Sequence, residues 1–222
     1  MSNTLIVLTL NEIDGVREIM PKIDRRWVDE ILIVDGGSTD GTVEECTKMG
    51  FTVITQKIKG HGGAIITGIQ ASKSDNIVIF GPDGNHEPEE IPRLIKKQQE
   101  GFDQVIISRF SKTSQNLDAG LIDGFGNKMF TILMNFLFHG NLTDALNESR
   151  IITRKAFEEI KFDALELDST FQMSIRGLKK KQKMIEIDGN EGRRIGGKRK
   201  MKRIPTGTRL LKRLIIELFT KI

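Results

Sequence analysis

The chain has 222 residues, 38% of them hydrophobic and 29% charged, with a net charge of +4. That length suits one large domain or two small ones, and that composition describes an ordinary soluble protein. No apolar run is long enough to span a bilayer as a helix. A lone Cys46 excludes an internal disulfide and fits a reducing compartment. The opening Met1-Ser2-Asn3-Thr4-Leu5 lacks the basic start and long apolar core of a signal peptide, so a cytoplasmic location is expected.

The first half of the sequence alternates. Residues 4–9 read as a strand, and 12–20 as a helix ended by Pro21. Residues 31–35 read as a strand, and Asp40 as the N-cap of a helix closed at Gly50. Strand 51–56 is followed by helix 62–72, entered through Gly60-His61-Gly62-Gly63. Strand 76–80 is followed by helix 88–100, ended by Gly101, and then by strand 104–108. Short links between alternating strands and helices imply a parallel sheet with helices on both faces.

The second half is less regular. Residues 129–139 form a strongly apolar stretch, either a buried core helix or one facing lipid. Residues 154–160 and 169–178 read as helices, and 183–187 as a strand. The segment 189–207 is rich in Gly and Lys and is expected to be mobile without a ligand. In the tail, the apolar residues at 210, 211, 214, 215, 218, 219 and 222 share one helix face, opposite Lys212, Arg213, Glu217 and Lys221. That face either docks on its own domain or lies on a membrane surface.

Charge is segregated along this half. Between Arg193 and Arg203 seven of eleven residues are Lys or Arg and none is acidic, and Lys179-Lys180-Lys181 lies just before. Such a run is either a solvated surface loop or the seat of a phosphate-rich ligand or anionic membrane. Aromatic residues do not interleave with it, which argues against nucleic acid.

Two segments carry the chemistry. Ile31-Leu32-Ile33-Val34 runs into Asp35-Gly36-Gly37-Ser38-Thr39-Asp40-Gly41-Thr42. Ile77-Val78-Ile79-Phe80 runs into Gly81-Pro82-Asp83-Gly84-Asn85-His86-Glu87-Pro88. Short β-branched runs read as buried parallel strands, so Asp35 and Asp83 sit just past strand C-termini. Ligands of open α/β sheets bind at that edge. An acid on each of two neighbouring strand ends suits a ribose and a metal-bound diphosphate.

These segments, with five others in order, resemble the inverting nucleotide-sugar glycosyltransferase family that includes dolichyl-phosphate mannose synthase. Thr9-Leu10-Asn11-Glu12 resembles T-Y-N-E, and residues 34–42 resemble V-D-D-G-S-x-D-G-T. Lys59-Gly60-His61-Gly62-Gly63-Ala64 resembles K-G-x-G-x-A, and residues 80–90 resemble the metal-binding D-x-D stretch. Ser108-Arg109-Phe110 resembles S-R-[YF]. Residues 144–150 resemble D-x-x-S-G-F-R, keeping only Asp144 and Arg150. Residues 191–201 resemble the basic R-x-G-x-S-K loop. The resemblance implies a single GT-A, Rossmann-like α/β domain over 1–205 with a mostly parallel central sheet, followed by an amphipathic helix over 206–222.

It also implies a division of labour. A nucleotide-diphosphate sugar, linked to GDP or UDP, binds with Mg²⁺ or Mn²⁺. The metal is held by Asp83 and Asn85 and completes its shell with phosphate oxygens and water. Thr9, Asn11, Glu12, Asp35 and Lys59 face the nucleotide. Arg194, Lys198 and Lys200 close over the diphosphate and neutralise the leaving group, with Asp83, Arg194 and Lys200 counted among the catalytic residues. Arg109, also counted as catalytic, faces the acceptor's anionic group. The acceptor implied is a polyprenyl phosphate, reached by peripheral contact with the cytoplasmic membrane face.

Four positions depart from the pattern. Gly81 replaces the first Asp of D-x-D, and Gly36 replaces the second Asp of V-D-D-G-S. Ala119 and Asp123 stand where Arg and Ser are usual, and an acid at 123 would repel an anionic acceptor. A hydroxyl acceptor, the alternative, would need a general base. Asp123, Glu166 and Asp168 are the candidates, although Asp168-Ser169-Thr170 also reads as a helix N-cap. The losses at 36 and 81 leave a third alternative, a nucleotide-sugar-binding module without activity. His86 reads as packing the metal loop. His61 and His139 have no partners at zinc-ligand spacing.

Overall fold

A parallel strand buried on both faces needs consecutive apolar residues, and the first strand supplies them. The structure, a computed structural model, describes residues 1–111, 113–114, 121–197 and 201–222. In chain order the elements are β1 (Asn3–Thr9), α1 (Ile13–Ile19), β2 (Glu30–Asp35), α2 (Thr42–Lys48), β3 (Thr52–Thr55), α3 (His61–Ala71), β4 (Asn76–Phe80) and α4 (Glu90–Gln98). Then come β5 (Gln104–Ser108), α5 (Leu121–Phe138), β6 (Arg150–Thr153), α6 (Arg154–Glu159), α7 (Ser169–Lys179), β7 (Met184–Asp188) and α8 (Arg203–Phe219). The strands form one sheet in the order β3-β2-β1-β4-β6-β5-β7. The expected α/β domain with a mostly parallel sheet is the observed one.

Alternate side chains of each strand enter opposite layers. Leu5, Val7, Ile33, Val78 and Phe80 pack with Val16 and Ile19 of α1, Cys46 of α2 and Leu94 of α4. Ile6, Leu32, Val34, Ile77 and Ile79 pack on the other face with Ile65 and Ile69 of α3, Ala156 of α6 and Met173 of α7. A third cluster joins Phe130 and Met134 of α5 to Phe171 and Ile175 of α7 and to Leu210 and Leu214 of α8.

Three elements differ from the sequence reading. β6 is an unpredicted strand, antiparallel to both β4 and β5. It has only four residues and runs straight into α6, whose N-cap Thr153 accepts the Ala156 N–H. α5 begins at Leu121, well before residue 129. α8 begins at Arg203 and is no appendage, because Leu210 and Leu214 are buried in the third cluster.

β1 is flanked by β2 on one side and β4 on the other. The strand order therefore reverses there, and a crevice opens beyond the carboxyl ends of β1 and β4.

Candidate active site

The crevice is a cleft of about 640 Å³ at that edge. Of the residues expected to bind donor, metal or acceptor, Thr9, Glu12, Asp83, Asn85, Arg109 and Arg194 line it, as do the candidate bases Asp123 and Glu166 but not Asp168. Asn11, Asp35 and Lys59 do not line it, and Lys198, Lys200 and Ala119 lie outside the described residues.

Asp35 is 2% exposed and is spent on its own loop. It accepts the N–H groups of Gly37 and Ser38, each at 2.8 Å, and the hydroxyls of Thr9 at 2.9 Å and Ser38 at 2.6 Å. Asn11 does similar work, accepting the Thr39 N–H at 2.8 Å. Lys59 is exposed. The first acidic segment thus shapes the rim, and its Asp40 accepts the N–H groups of Thr42 and Ile13 while Gly41 holds the N-cap position.

The second segment faces the cleft. Asp83 accepts the Asn85 N–H at 3.1 Å and pairs with Arg194 Nη1 at 2.6 Å. The same guanidinium pairs with Glu12 on the neighbouring strand end. Arg194 therefore bridges the carboxylates of two neighbouring strand ends. Burial, and then the charge of Glu148, push the Asp83 carboxyl above its ordinary value, against the Asn85 N–H and the Arg194 charge. The loop that carries Arg194 is docked on this segment. The Ile195 N–H donates to the Asp83 carbonyl at 2.7 Å, and the Gly192 N–H to the Asn85 carbonyl at 3.0 Å. His86 is buried and bonds Glu90 at 3.1 Å, which packs the segment onto α4 as expected.

The residues present fit a divalent cation. Asn85 Oδ1 is buried with no hydrogen-bond partner among the described residues. Asp83 supplies an oxygen beside it, and a guanidinium already sits on that carboxylate. Among the described residues no group of three or more His, Cys, Asp and Glu side chains is arranged to hold a metal. That is the donor set of an ion that relies on phosphate oxygens and water.

Arg109 is engaged on three sides. It donates to Asp144 at 2.7 and 3.0 Å and to Glu191 at 2.9 Å. Burial alone would weaken its hold on the proton, but the two carboxylates outweigh burial and raise its pKa. This anchors the turn after β5 to the loop at 191, so an acceptor anion at Arg109 would compete with two buried carboxylates.

The three candidate bases share a feature that spacing does not reveal. Each pairs with an arginine on α8: Asp123 with Arg203 at 2.8 Å, Glu166 with Arg209 at 3.8 Å, Asp168 with Arg213 at 2.7 Å. Asp168 does occupy the N-cap position of α7, but its side chain makes no cap bond there. The repulsion expected of Asp123 toward an anion is offset by Arg203.

Sequence reasoning missed Glu148, and with it the partner of His61. His61 Nε2 lies 2.7 Å from Glu148 Oε2, and its Nδ1 lies 2.7 Å from Ser169 Oγ. Burial would raise the Glu148 carboxyl, but the His61 hydrogen bond and the charges of His61, His86 and Arg109 outweigh it and hold it at about 2. The only signal in the sequence was that position 148 breaks the D-x-x-S-G-F-R pattern.

Known proteins share the sequence pattern and the fold. An uncharacterized protein of Methanocaldococcus jannaschii is 29% identical over 82% of this chain and 79% of its own length. A glycosyltransferase of Haloferax volcanii, AglJ, is 24% identical over 79% of this chain and 59% of its own. The dolichol-phosphate mannosyltransferase of Pyrococcus furiosus is 34% identical over 50% of this chain and 34% of its own. This chain thus spans only part of the last two. Among solved structures, the glucosyl-3-phosphoglycerate synthase of Mycobacterium tuberculosis, in complex with Mn²⁺, UDP and phosphoglyceric acid, superposes with a TM-score of 0.76. It covers 100% of this chain and 80% of its own at 18% identity, which is a likeness of fold. The family model for glycosyl transferase family 2 matches residues 4–161, and the chain belongs to that family.

Proposed function

We propose that the protein moves a sugar from a UDP- or GDP-linked donor to a polyprenyl phosphate, an acceptor that is already anionic. The observation that carries this reading is the pairing of Asp123, Glu166 and Asp168 with three α8 arginines. A hydroxyl acceptor must lose a proton to a base as it attacks. An ionised phosphate oxygen attacks the anomeric carbon without one, and the bond to the donor diphosphate breaks. Carboxylates held by guanidinium groups hinder the first reaction and do not impede the second.

The donor half follows from the opposite wall. Asp83 and Asn85 would hold Mg²⁺ or Mn²⁺, which when bound would neutralise charge on the departing diphosphate. Arg194 leaves Asp83 and Glu12 to meet the diphosphate, joined by Lys198 and Lys200. Thr9 and Glu12 face the nucleoside, on a rim shaped by Asn11 and Asp35, and the exposed Lys59 is free to reach it. Arg109, tied to Asp144 and Glu191, also lines the cleft. The Mycobacterium synthase, bound to UDP and Mn²⁺, supports the class of donor, and the Pyrococcus relative, a dolichol-phosphate mannosyltransferase by name, the class of acceptor.

The acceptor's lipid is reached at a membrane surface on the cytoplasmic side. Among the described residues no helix is long and apolar enough to cross a bilayer. The outer faces of α5 and α8 instead expose Phe125, Ile132 and Phe136 beside Leu211, Ile215 and Phe219. The test is transfer from UDP- and GDP-sugars in Mn²⁺ to a polyprenyl phosphate and to the matching polyprenol. Product is expected from the phosphate alone. Transfer to polyprenol or to a soluble hydroxyl, with none to the phosphate, overturns the reading.

A further inference from the structure

We propose that Glu148 supplies the carboxylate that Gly81 lacks, so that Glu148 and Asp83 together hold the divalent cation of the donor. This rests on the donor half of the reading above. The central observation is steric. A Cβ built on Gly81 would lie 2.3 Å from Glu148 Oε1 and 3.5 Å from its Cδ. The carboxylate of Glu148 thus fills the volume that an aspartate side chain at 81 would occupy. It enters from the loop before β6, far away in the sequence, while position 81 follows β4.

The surroundings suit a ligand. Glu148, Asp83 and Asn85 all line the cleft. Asn85 Oδ1 is buried and has no hydrogen-bond partner among the described residues. One Glu148 oxygen is bonded to His61 Nε2 at 2.7 Å, and that ring is fixed by Ser169 at 2.7 Å. The other oxygen lies on the Gly81 side. A carboxylate oriented through one oxygen presents the second at a fixed place, as supporting residues do in metal sites. The platform is rigid as well. The Asn147 amide donates to the Ile107 carbonyl at 2.7 Å, and the buried Arg150 donates to the Asn147 carbonyl.

The departures from the family pattern are also reciprocal: an acid is absent at 81, and one appears at 148.

The test is Mn²⁺ binding to the full chain, read by the loss of the free-ion paramagnetic resonance signal in UDP, GDP, ADP and CDP. Glu148→Gln is expected to weaken Mn²⁺ about tenfold or more, and Gly81→Asp with Glu148→Gly to return it to within about threefold of the parent. Gly81→Asp alone should weaken it, because two carboxylates then compete for one volume. If the parent binds no Mn²⁺ with any diphosphate, the donor reading falls and this inference with it. If Asp83→Asn loses Mn²⁺ while Glu148→Gln does not, the donor reading stands and the inference is wrong. A folded double variant that fails to regain Mn²⁺ also overturns it. Should that variant not fold, His61→Gln decides. It leaves the carboxylate in place and removes only its orienting bond, so it should lose less affinity than Glu148→Gln, and a loss equal to that of Glu148→Gln would show a merely structural pair.

Discussion

Arg150 is the largest fully buried side chain among the described residues. Burial pushes its guanidinium down to about 10, so it stays a cation at neutral pH while Asp144, Glu186 and Glu148 hold it charged. It donates to the carbonyls of Asn147 and Ala145 and to Ser174. Arg150→Met leaves those acceptors and nearby carboxylates uncompensated, and should cost about 3–5 kcal/mol in denaturant unfolding. Glu148 has its own pH signature. Its folded value of about 2 lies below the ordinary 4.5, so its contribution is complete above 4.5 and is lost as pH falls toward 2. That contribution is on the order of 3 kcal/mol at neutrality. Urea unfolding of the parent and Glu148→Gln should differ most at pH 7 and converge in acid. A gap that stays constant to low pH would contradict the pairing with His61.

At the scale of elements, α8 does two jobs with two faces. Inward, Leu210 and Leu214 complete the third apolar cluster, and the fully buried Glu217 pairs with Arg176 at 2.9 Å. Arg203, Arg209 and Arg213 hold the three acids, of which Asp123 and Glu166 line the cleft. An amphipathic tail read from sequence suggests that deleting 208–222 would spare the core. The burial of Leu210, Leu214 and Glu217 says otherwise: the deletion opens the cluster and removes the buried carboxylate beside Arg176. Leu214→Ala alone should cost about 2–5 kcal/mol, through lost transfer energy and a cavity. A melting temperature unchanged by that substitution would show that α8 is only loosely docked.

At the scale of the whole molecule, the exposed apolar residues gather on α5 and α8 rather than scatter. Phe125, Ile132 and Phe136 on α5 are 70%, 66% and 79% exposed, and Phe219 on α8 is 81% exposed. α5 packs against α8, so these faces adjoin. Lys128, Lys212 and the basic run near 193–203 lie in the same half of the chain. Apolar area with positive charge gives reversible binding to anionic lipid. The full chain should float with anionic vesicles at low salt and release at about 0.5 M salt, where screening is short-ranged. Ile215→Glu with Phe219→Glu should abolish flotation without lowering the melting temperature, since both side chains are exposed. Vesicle binding that survives this pair would move the contact elsewhere.

The sequence by itself determined the strands that carry chemistry, because local physics suffices there. A β-branched run ended by Gly and Asp is a buried parallel strand, and a carboxylate after it lands at the ligand edge. Asp83 was found that way, Glu12 and Arg194 through the family resemblance, and the structure brings the three together. β6 was not legible, because Arg150-Ile151-Ile152-Thr153 has no alternation and no turn before α6. Its identity as a strand comes from hydrogen bonds to β4 and β5. Asp168 reads locally as a cap and is instead a partner of Arg213, from a helix much later in the chain. Glu148 reads as a broken motif, yet it stands in the space of residue 81 and bonds His61. What only the tertiary structure decided is which charges meet, because pairing depends on distances that folding creates between segments remote in sequence.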